Sequence, residues 1–317
     1  MTNQIITIGG STWDVFLTTS QVELNTKNGL NYLSFPYGGK IDAEQVIYNF
    51  GGGAANVAVG LARLGFKTNI ISRVGADFRG QEVIKHLQSE GVGTTNLQTD
   101  KKLATALSFI VTGGGPHDHV AFVARGATTN LDIPSIINKN TTWLYITSLY
   151  SKDWSSKLQT LFANCKKQGQ SIFWNPGQAQ LLKPSLMKKL LPYVSILDVN
   201  KEEAEQLLNS KPDKTENLLP KLLKTGVHSA LITDGANGAY YMNQTAIYHQ
   251  SAFKVNPVNT TGAGDAFGSG FLAGFINSNS NAKTALHLGM LNATAVIMHN
   301  GAQKGLLTKS ELLKLKS

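Results

Sequence analysis

The sequence predicts an α/β protein: a mostly parallel sheet with helices on both faces, carrying a small β lid. Three observations lead there. Apolar strand-like runs alternate with helix-period segments along most of the chain, and two glycine-punctuated stretches interrupt that alternation with β-type patterning. The length of 317 residues, 42% of them hydrophobic, is enough to bury a substantial core. No internal repeat, low-complexity tract or proline-rich linker divides the chain, so residues 1–317 are expected to form one domain.

Residues 4–10, QIITIGG, are a short apolar run closed by two glycines, the pattern of a buried strand delivering its end to a turn. Alternating pieces at 15–18, 30–35 and 45–48, broken by Asn28-Gly29 and Gly38-Gly39, predict antiparallel hairpins. Residues 103–112 and 119–124 flank Gly113-Gly114-Gly115-Pro116 and predict a further hairpin. The lid is therefore expected within about 14–50 and 103–124. In the body, strands are expected at 68–74, 143–147, 171–175, 194–199 and 229–233. Helices are expected at 78–90, 153–168, 201–209, 215–225, 263–277 and 282–299, with a short last one at 309–315.

Composition excludes several classes. The net charge is +9, but only four of the 29 basic residues are arginines (Arg63, Arg73, Arg79 and Arg125), and the lysines are scattered. That speaks against nucleic acid as a partner, since sequence-specific binders favour the arginine fork and a concentrated stripe. No run of about 18 apolar residues occurs and no basic leader precedes one, so neither a membrane nor a secretory route is expected, and the location read is cytoplasmic. The lone Cys165 lies in a helix-period stretch with Leu161 and Phe162 and reads as a buried structural thiol. The histidines show no metal-ligand spacing apart from His117-x-His119, read as solvated turn residues at the lid tip. No G-x-x-x-x-G-K-[ST] is present, and Gly51-x-Gly53 lacks the third glycine and preceding strand of a dinucleotide fingerprint.

Two segments carry chemistry. Asn259 to Gly270, NTTGAGDAFGSG, opens an apolar helix, and its glycines free the amides of Gly262, Ala263 and Gly264 to converge on an anion at the positive helix end. Asp265 falls in the first turn beside that hole, where a carboxylate can take a hydroxyl proton as the hydroxyl attacks a phosphoryl group. The same residues also suit a simple tight entry turn. Phe50 to Gly65 places three glycines before a small-residue helix, so that a ligand can approach backbone at Gly52 and Gly53, with Asn56 one turn in and able to donate and accept towards a polyol.

Together these segments resemble the two signatures of the PfkB, or ribokinase-like, carbohydrate kinases, Gly51 to Gly65 the first and Thr260 to Phe267 the second. The resemblance spans nearly the whole chain. It implies a three-layer α/β/α fold and transfer of the γ-phosphoryl group of ATP to a primary hydroxyl of a sugar, with Asp265 as base. Sugar contacts are expected from Asp14, Gly52, Gly53, Asn56 and Arg125, with Arg125 and Gly126 at the lid hinge. Asn200, Thr233, Gly235 and Gly238 are implied along the nucleotide, and Asn292 and Gly301-Ala302 near adenine. Glu203, of the Asn200-Lys201-Glu202-Glu203 element, is implied in Mg²⁺ binding through water, although Asn200 and Glu203 equally suit a helix-capping box. Asn259 stands where several members have Asp, which implies weak or absent K⁺ activation. Gly53 stands where ribokinases usually have lysine, which argues against ribose itself. A nucleoside kinase with Tyr32, Phe35 or Tyr37 stacking a base, and a catalytically silent sugar-binding regulatory protein, are the alternatives. A homodimer through the lid is a further expectation.

Overall fold

The computed structural model describes residues 4–28, 30–113 and 119–314. The N-terminal part contains β1 (Gln4–Ile8), β2 (Thr12–Thr18), β3 (Glu23–Lys27), β4 (Leu30–Ser34), β5 (Gln45–Gly51), α1 (Gly53–Arg63), β6 (Lys67–Ile71), β7 (Arg73–Gly75), α2 (Phe78–Ser89), β8 (Gln98–Asp100), β9 (Ala106–Thr112) and β10 (His119–Ala124). The middle follows with β11 (Thr141–Ile146), α3 (Trp154–Lys167), β12 (Ser171–Trp174), α4 (Gln178–Leu181), α5 (Pro184–Leu190), β13 (Ile196–Asn200), α6 (Lys201–Leu208), α7 (Thr215–Leu223) and β14 (Ala230–Thr233). The chain closes with β15 (Ala239–Met242), β16 (Ile247–Gln250), α8 (Ala263–Asn277), α9 (Ala282–Ile297) and α10 (Lys309–Lys314).

The main sheet has eight strands in the order β16-β15-β14-β13-β12-β11-β1-β6, parallel from β14 to β6 and antiparallel at the β14-β15-β16 edge. Buried on both faces, its strands read as continuous apolar runs, and alternate residues serve opposite layers. Ile6, Ile8, Leu144, Ile146 and Trp174 pack on α3, α5, α6 and α7 through Phe162, Leu190, Leu207 and Leu219. Ile5, Tyr145, Phe173 and Leu231 pack on α1, α8 and α9 through Val57, Phe267, Phe271 and Leu286. This is the expected three-layer arrangement. Among the described residues no helix is long and apolar enough to cross a membrane.

Strands β9 and β10 form the expected antiparallel hairpin, but the two β-type stretches do not stay separate. They merge into one four-stranded sheet, β10-β9-β2-β5, in which β2 pairs antiparallel with β5 and parallel with β9. Only β3 and β4 form an isolated hairpin. The sheet is docked on α2 by Trp13, whose ring lies 5.3 Å from that of Phe50 and 6.2 Å from that of Phe78. Residues 114–118, with the expected hairpin tip at His117, lie outside the described residues, as does Gly29.

Other differences are local. The strand expected at 68–74 breaks at Ser72 into β6 and β7, the latter pairing with β8. Helices α4 and α5 and strands β15 and β16 had no strong period to announce them. Cys165 is buried, and burial pushes its thiol up to about 11, as suits a structural residue.

Candidate active site

Parallel strands end on one edge, and the candidate residues gather there. Asn200 and Thr233 are register partners at the ends of β13 and β14. The N-terminus of α1 begins beside the end of β1: Gly52 adopts φ +90°, and a Cβ on it would lie 2.5 Å from the Gly10 carbonyl oxygen. Glycine is required here by both backbone conformation and space.

Helix α8 enters through Gly262 at φ +80°, with no side-chain cap. Of the three amides expected to form the anion hole, that of Ala263 donates to the Thr260 carbonyl at 3.2 Å. The Gly262 and Gly264 N–H groups have no protein acceptor among the described residues. The hole is thus narrower than the motif suggests, although the positive end of a fifteen-residue helix remains.

Asp265 sits at the junction of the two signatures. Asn56 Nδ2 donates to Asp265 Oδ2 at 2.8 Å across 209 positions of sequence. Asp265 Oδ1 lies 3.3 Å from where a Gly53 Cβ would be, so a side chain at Gly53 would press on the carboxylate. Asp265 keeps a partly exposed edge, yet desolvation raises its carboxyl to about 6, with Asn56's donation opposing the rise and the charge of Asp14 assisting it. Asp14, buried in β2, accepts from Thr12 Oγ1 at 2.8 Å and from Ser108 Oγ. Burial raises its pKa, and those hydroxyls oppose the rise. Gly51 leaves room for its carboxylate.

The expected nucleotide residues part company. Thr233, Gly235 and Gly238 line a cavity of about 370 Å³ together with Ala263, Gly264, Phe267, Met290, Ala293, Thr294 and Ile297. Larger hollows of 630 Å³ beside Tyr193 and 560 Å³ beside Asn69 reach neither glycine signature. Asn200 caps α6: its side chain accepts from Glu203 N at 2.8 Å, and Glu203 Oε2 accepts from Asn200 N at 2.9 Å. Glu203 Oε1 takes no part in that cap, and burial raises the carboxyl. Asn292 is a correction to the sequence reading. Its side chain is fully buried, donates to the Ala266 carbonyl at 2.8 Å and Ser269 Oγ at 3.2 Å, and accepts from Leu307 N at 2.9 Å. An amide so engaged ties α9 to α8 and is not presented to the cavity. Arg125 is exposed, with its guanidinium 3.6 Å from the Tyr150 ring centroid and no hydrogen bond to the acceptor residues. The aromatics offered for base stacking, Tyr32, Phe35 and Tyr37, are all exposed on or just beyond the β3-β4 hairpin. Asn259 is buried and accepts from Thr261 N at 2.7 Å.

Sequence reasoning missed Asp198, Gln303 and His86. Asp198 is buried in β13 on the α8 face, and burial, with Glu203 and Asp265 nearby, pushes its carboxyl well above the usual range. A Cβ on Gly268 would lie 3.1 Å from its Oδ2, and Gly268 also makes room for the buried Tyr145 hydroxyl. Its signal was available: an acid at an inward position of an otherwise apolar strand. No group of three or more His, Cys, Asp or Glu arranged for a metal occurs among the described residues.

Residues 23–309 match the model of the pfkB family carbohydrate kinases. The chain belongs to that family. This PfkB kinase is 26% identical to a ribokinase of Haemophilus influenzae over 301 residues, covering 92% of the chain and 96% of the relative. Its fold matches an Arabidopsis thaliana ribokinase solved with ribose and ATP, with TM-score 0.82 at 20% identity, covering 99% of each chain. It also matches a Burkholderia thailandensis nucleoside kinase solved with inosine, with TM-score 0.79 at 18% identity, covering 97% of this chain and 96% of that one. The protein is an ATP-dependent carbohydrate kinase of that family.

Proposed function

We propose that this kinase transfers the γ-phosphoryl group of ATP to a primary hydroxyl of a sugar, with Asp265 as the base. The observation that carries the reading is the seat of Asp265: a carboxyl raised to about 6, with Oδ1 3.3 Å from where a Gly53 Cβ would lie, beside Gly262 and Gly264 amides that lack protein acceptors. Near neutral pH such a group is ionised and still basic enough to take a proton. The acceptor oxygen bonds to the γ-phosphorus as the bond to the β–γ bridging oxygen breaks; its proton goes to Asp265, and ADP departs. Asp14 and Asn56 would orient the sugar hydroxyls. The Gly262 and Gly264 amides would draw the charge spread over the transferred group.

ATP suits the 370 Å³ cavity, whose apolar walls favour a flat base and which ends at the N-terminus of α8. Magnesium fits a site of phosphate oxygens and waters rather than a protein cage, with Glu203 acting through water and Asn200 beside it. When bound it would neutralise phosphate charge. The β10-β9-β2-β5 sheet, which carries Asp14, would close over the acceptor and exclude water. One row of its outer face, Tyr48, Phe109 and Phe122, is exposed and apolar, which favours pairing with the lid of a second copy.

A nucleoside acceptor is the second reading, favoured by the exposed Tyr32 and Phe35 on and beside the β4 strand. ATP consumption with Mg²⁺ and a panel of D-ribose, D-fructose, inosine and adenosine separates the two, with the phosphorylated carbon assigned by ³¹P–¹H NMR. Turnover on a free hexose or pentose at its primary hydroxyl is expected. Turnover confined to nucleosides would overturn the sugar reading.

A further inference from the structure

Four side chains from four parts of the chain form an unbroken hydrogen-bonded line into Asp265. His86 Nε2, on α2, lies 2.7 Å from Gln303 Oε1; Gln303 Nε2 donates to Asn56 Oδ1 at 2.9 Å; Asn56 Nδ2 donates to Asp265 Oδ2 at 2.8 Å. The chemistry forces its direction. An ionised carboxylate only accepts, so Asn56 must turn its NH₂ towards Asp265, and its oxygen then needs a donor on the far side. The Gln303 amide supplies that donor, and its own oxygen then needs one, which only an N–H at His86 Nε2 provides. Reversing any one amide would set like groups against each other at the next junction.

The line is also mechanically anchored. The His86 ring stacks on Phe50, the residue before the triglycine, with centroids 4.0 Å apart and planes 6° apart. Gln303 is buried, and its backbone carbonyl accepts from Arg63 Nη1 at 3.0 Å, while Arg63 is paired with Glu90 at 2.7 Å. Asn56 is the one side-chain donor to the Asp265 carboxylate among the described residues. The other ionisable groups facing that carboxylate are Asp14 from β2, Asp198 from β13 and Tyr145 from β11. Those facing His86 are Glu90 and, through the Glu90 pair, Arg63.

We propose that Gln303 and His86 are positioning residues, which lock the orientation of the Asn56 amide and thereby aim the Asp265 carboxylate at the acceptor hydroxyl. The proposal rests on Asp265 being the base. An Asn56 amide free to rotate presents its oxygen to Asp265 part of the time, which repels the ionised carboxylate and turns it from the hydroxyl.

The test uses the full chain in five forms: wild type, Gln303→Leu, His86→Phe, which keeps the stack but removes the donor, His86→Gln and Asp265→Asn. Two quantities are read. One is the ¹³C titration of the Asp265 carboxyl in the free protein, assigned by the signal lost in Asp265→Asn. The other is kcat and KM with ATP and whichever of D-ribose, D-fructose, inosine and adenosine turns over fastest. Gln303→Leu is expected to move the Asp265 midpoint upward and lower kcat about 10- to 100-fold, with a smaller change in KM. His86→Phe should shift both the same way and less, and His86→Gln, which restores an N–H, should recover most of the loss. If Gln303→Leu lowers Tm, the half-buried His86 pair carries the comparison. An unmoved midpoint and wild-type kcat in Gln303→Leu, while Asp265→Asn is crippled, would overturn the positioning role alone. Wild-type turnover in Asp265→Asn would instead remove the base.

Discussion

The two ends of the proposed cleft, acceptor and nucleotide, are built on different principles. At the acceptor end polar side chains already hold one another: Thr12 and Ser108 grip Asp14, and Gln303 and Asn56 hold Asp265. At the nucleotide end the walls are glycines and apolar side chains such as Phe267, Met290, Ala293 and Ile297, and the asparagine expected to meet the base, Asn292, faces away into the helix packing. The difference teaches how each end discriminates. Directed, partly desolvated hydrogen bonds punish a misplaced hydroxyl severely, whereas an apolar slot grades its ligands mainly by size.

The comparison breaks most visibly at Asp265. Asp265→Asn should fold with wild-type Tm and lose on the order of 10² to 10⁴ in kcat. The pH profile makes the same point without mutation. In its proposed role as base Asp265 works ionised, and with its carboxyl raised to about 6, kcat/KM should fall about tenfold per pH unit below that value and level off above it.

Next in size, Asp14→Ala should cost about 10- to 100-fold in kcat/KM for the acceptor through loss of a charged hydrogen bond, with the KM for ATP nearly unchanged in steady-state kinetics. Ala293→Leu tests the other end. It should raise the KM for ATP about tenfold by filling the slot, with kcat changed less. An equal loss of kcat there would mean the two ends are not separable.

Beneath both ends lies Asp198, whose folded pKa is raised above its unfolded value near 3.8. Folding therefore takes up a proton as pH climbs past that value, so this group's contribution favours the native state at low pH and is lost as pH rises. Asp198→Asn should gain Tm relative to wild type at pH 8 and gain little at pH 4, by thermal melts across that range. The smallest effect expected is replacement of K⁺ by a bulky organic cation: with the neutral Asn259 tied to Thr261 N, activity should change less than about twofold.

Much of the molecule was legible in the sequence because it depends on short-range rules. Period and punctuation announced the strand-helix alternation, and the start of α8 at Ala263 follows from Gly262, which adopts a left-handed backbone that other residues avoid. Clustered glycines before small residues marked Gly52 and Gly53 as places of close approach. The capping box of α6 was equally readable in Asn200 and Glu203.

Side-chain partnership across the chain was not readable, for a physical reason. Spacing along a segment sets backbone conformation and which face a residue occupies, but the partner on that face arrives with another element. Asn56 meets Asp265 only because α1 and α8 pack on the same sheet face, and Gln303 joins them from a loop with no period of its own. The parallel pairing of β2 with β9 joined two stretches that local pattern presents as separate hairpins. Asn292 looked like a ligand by position, and helix packing made it a clamp.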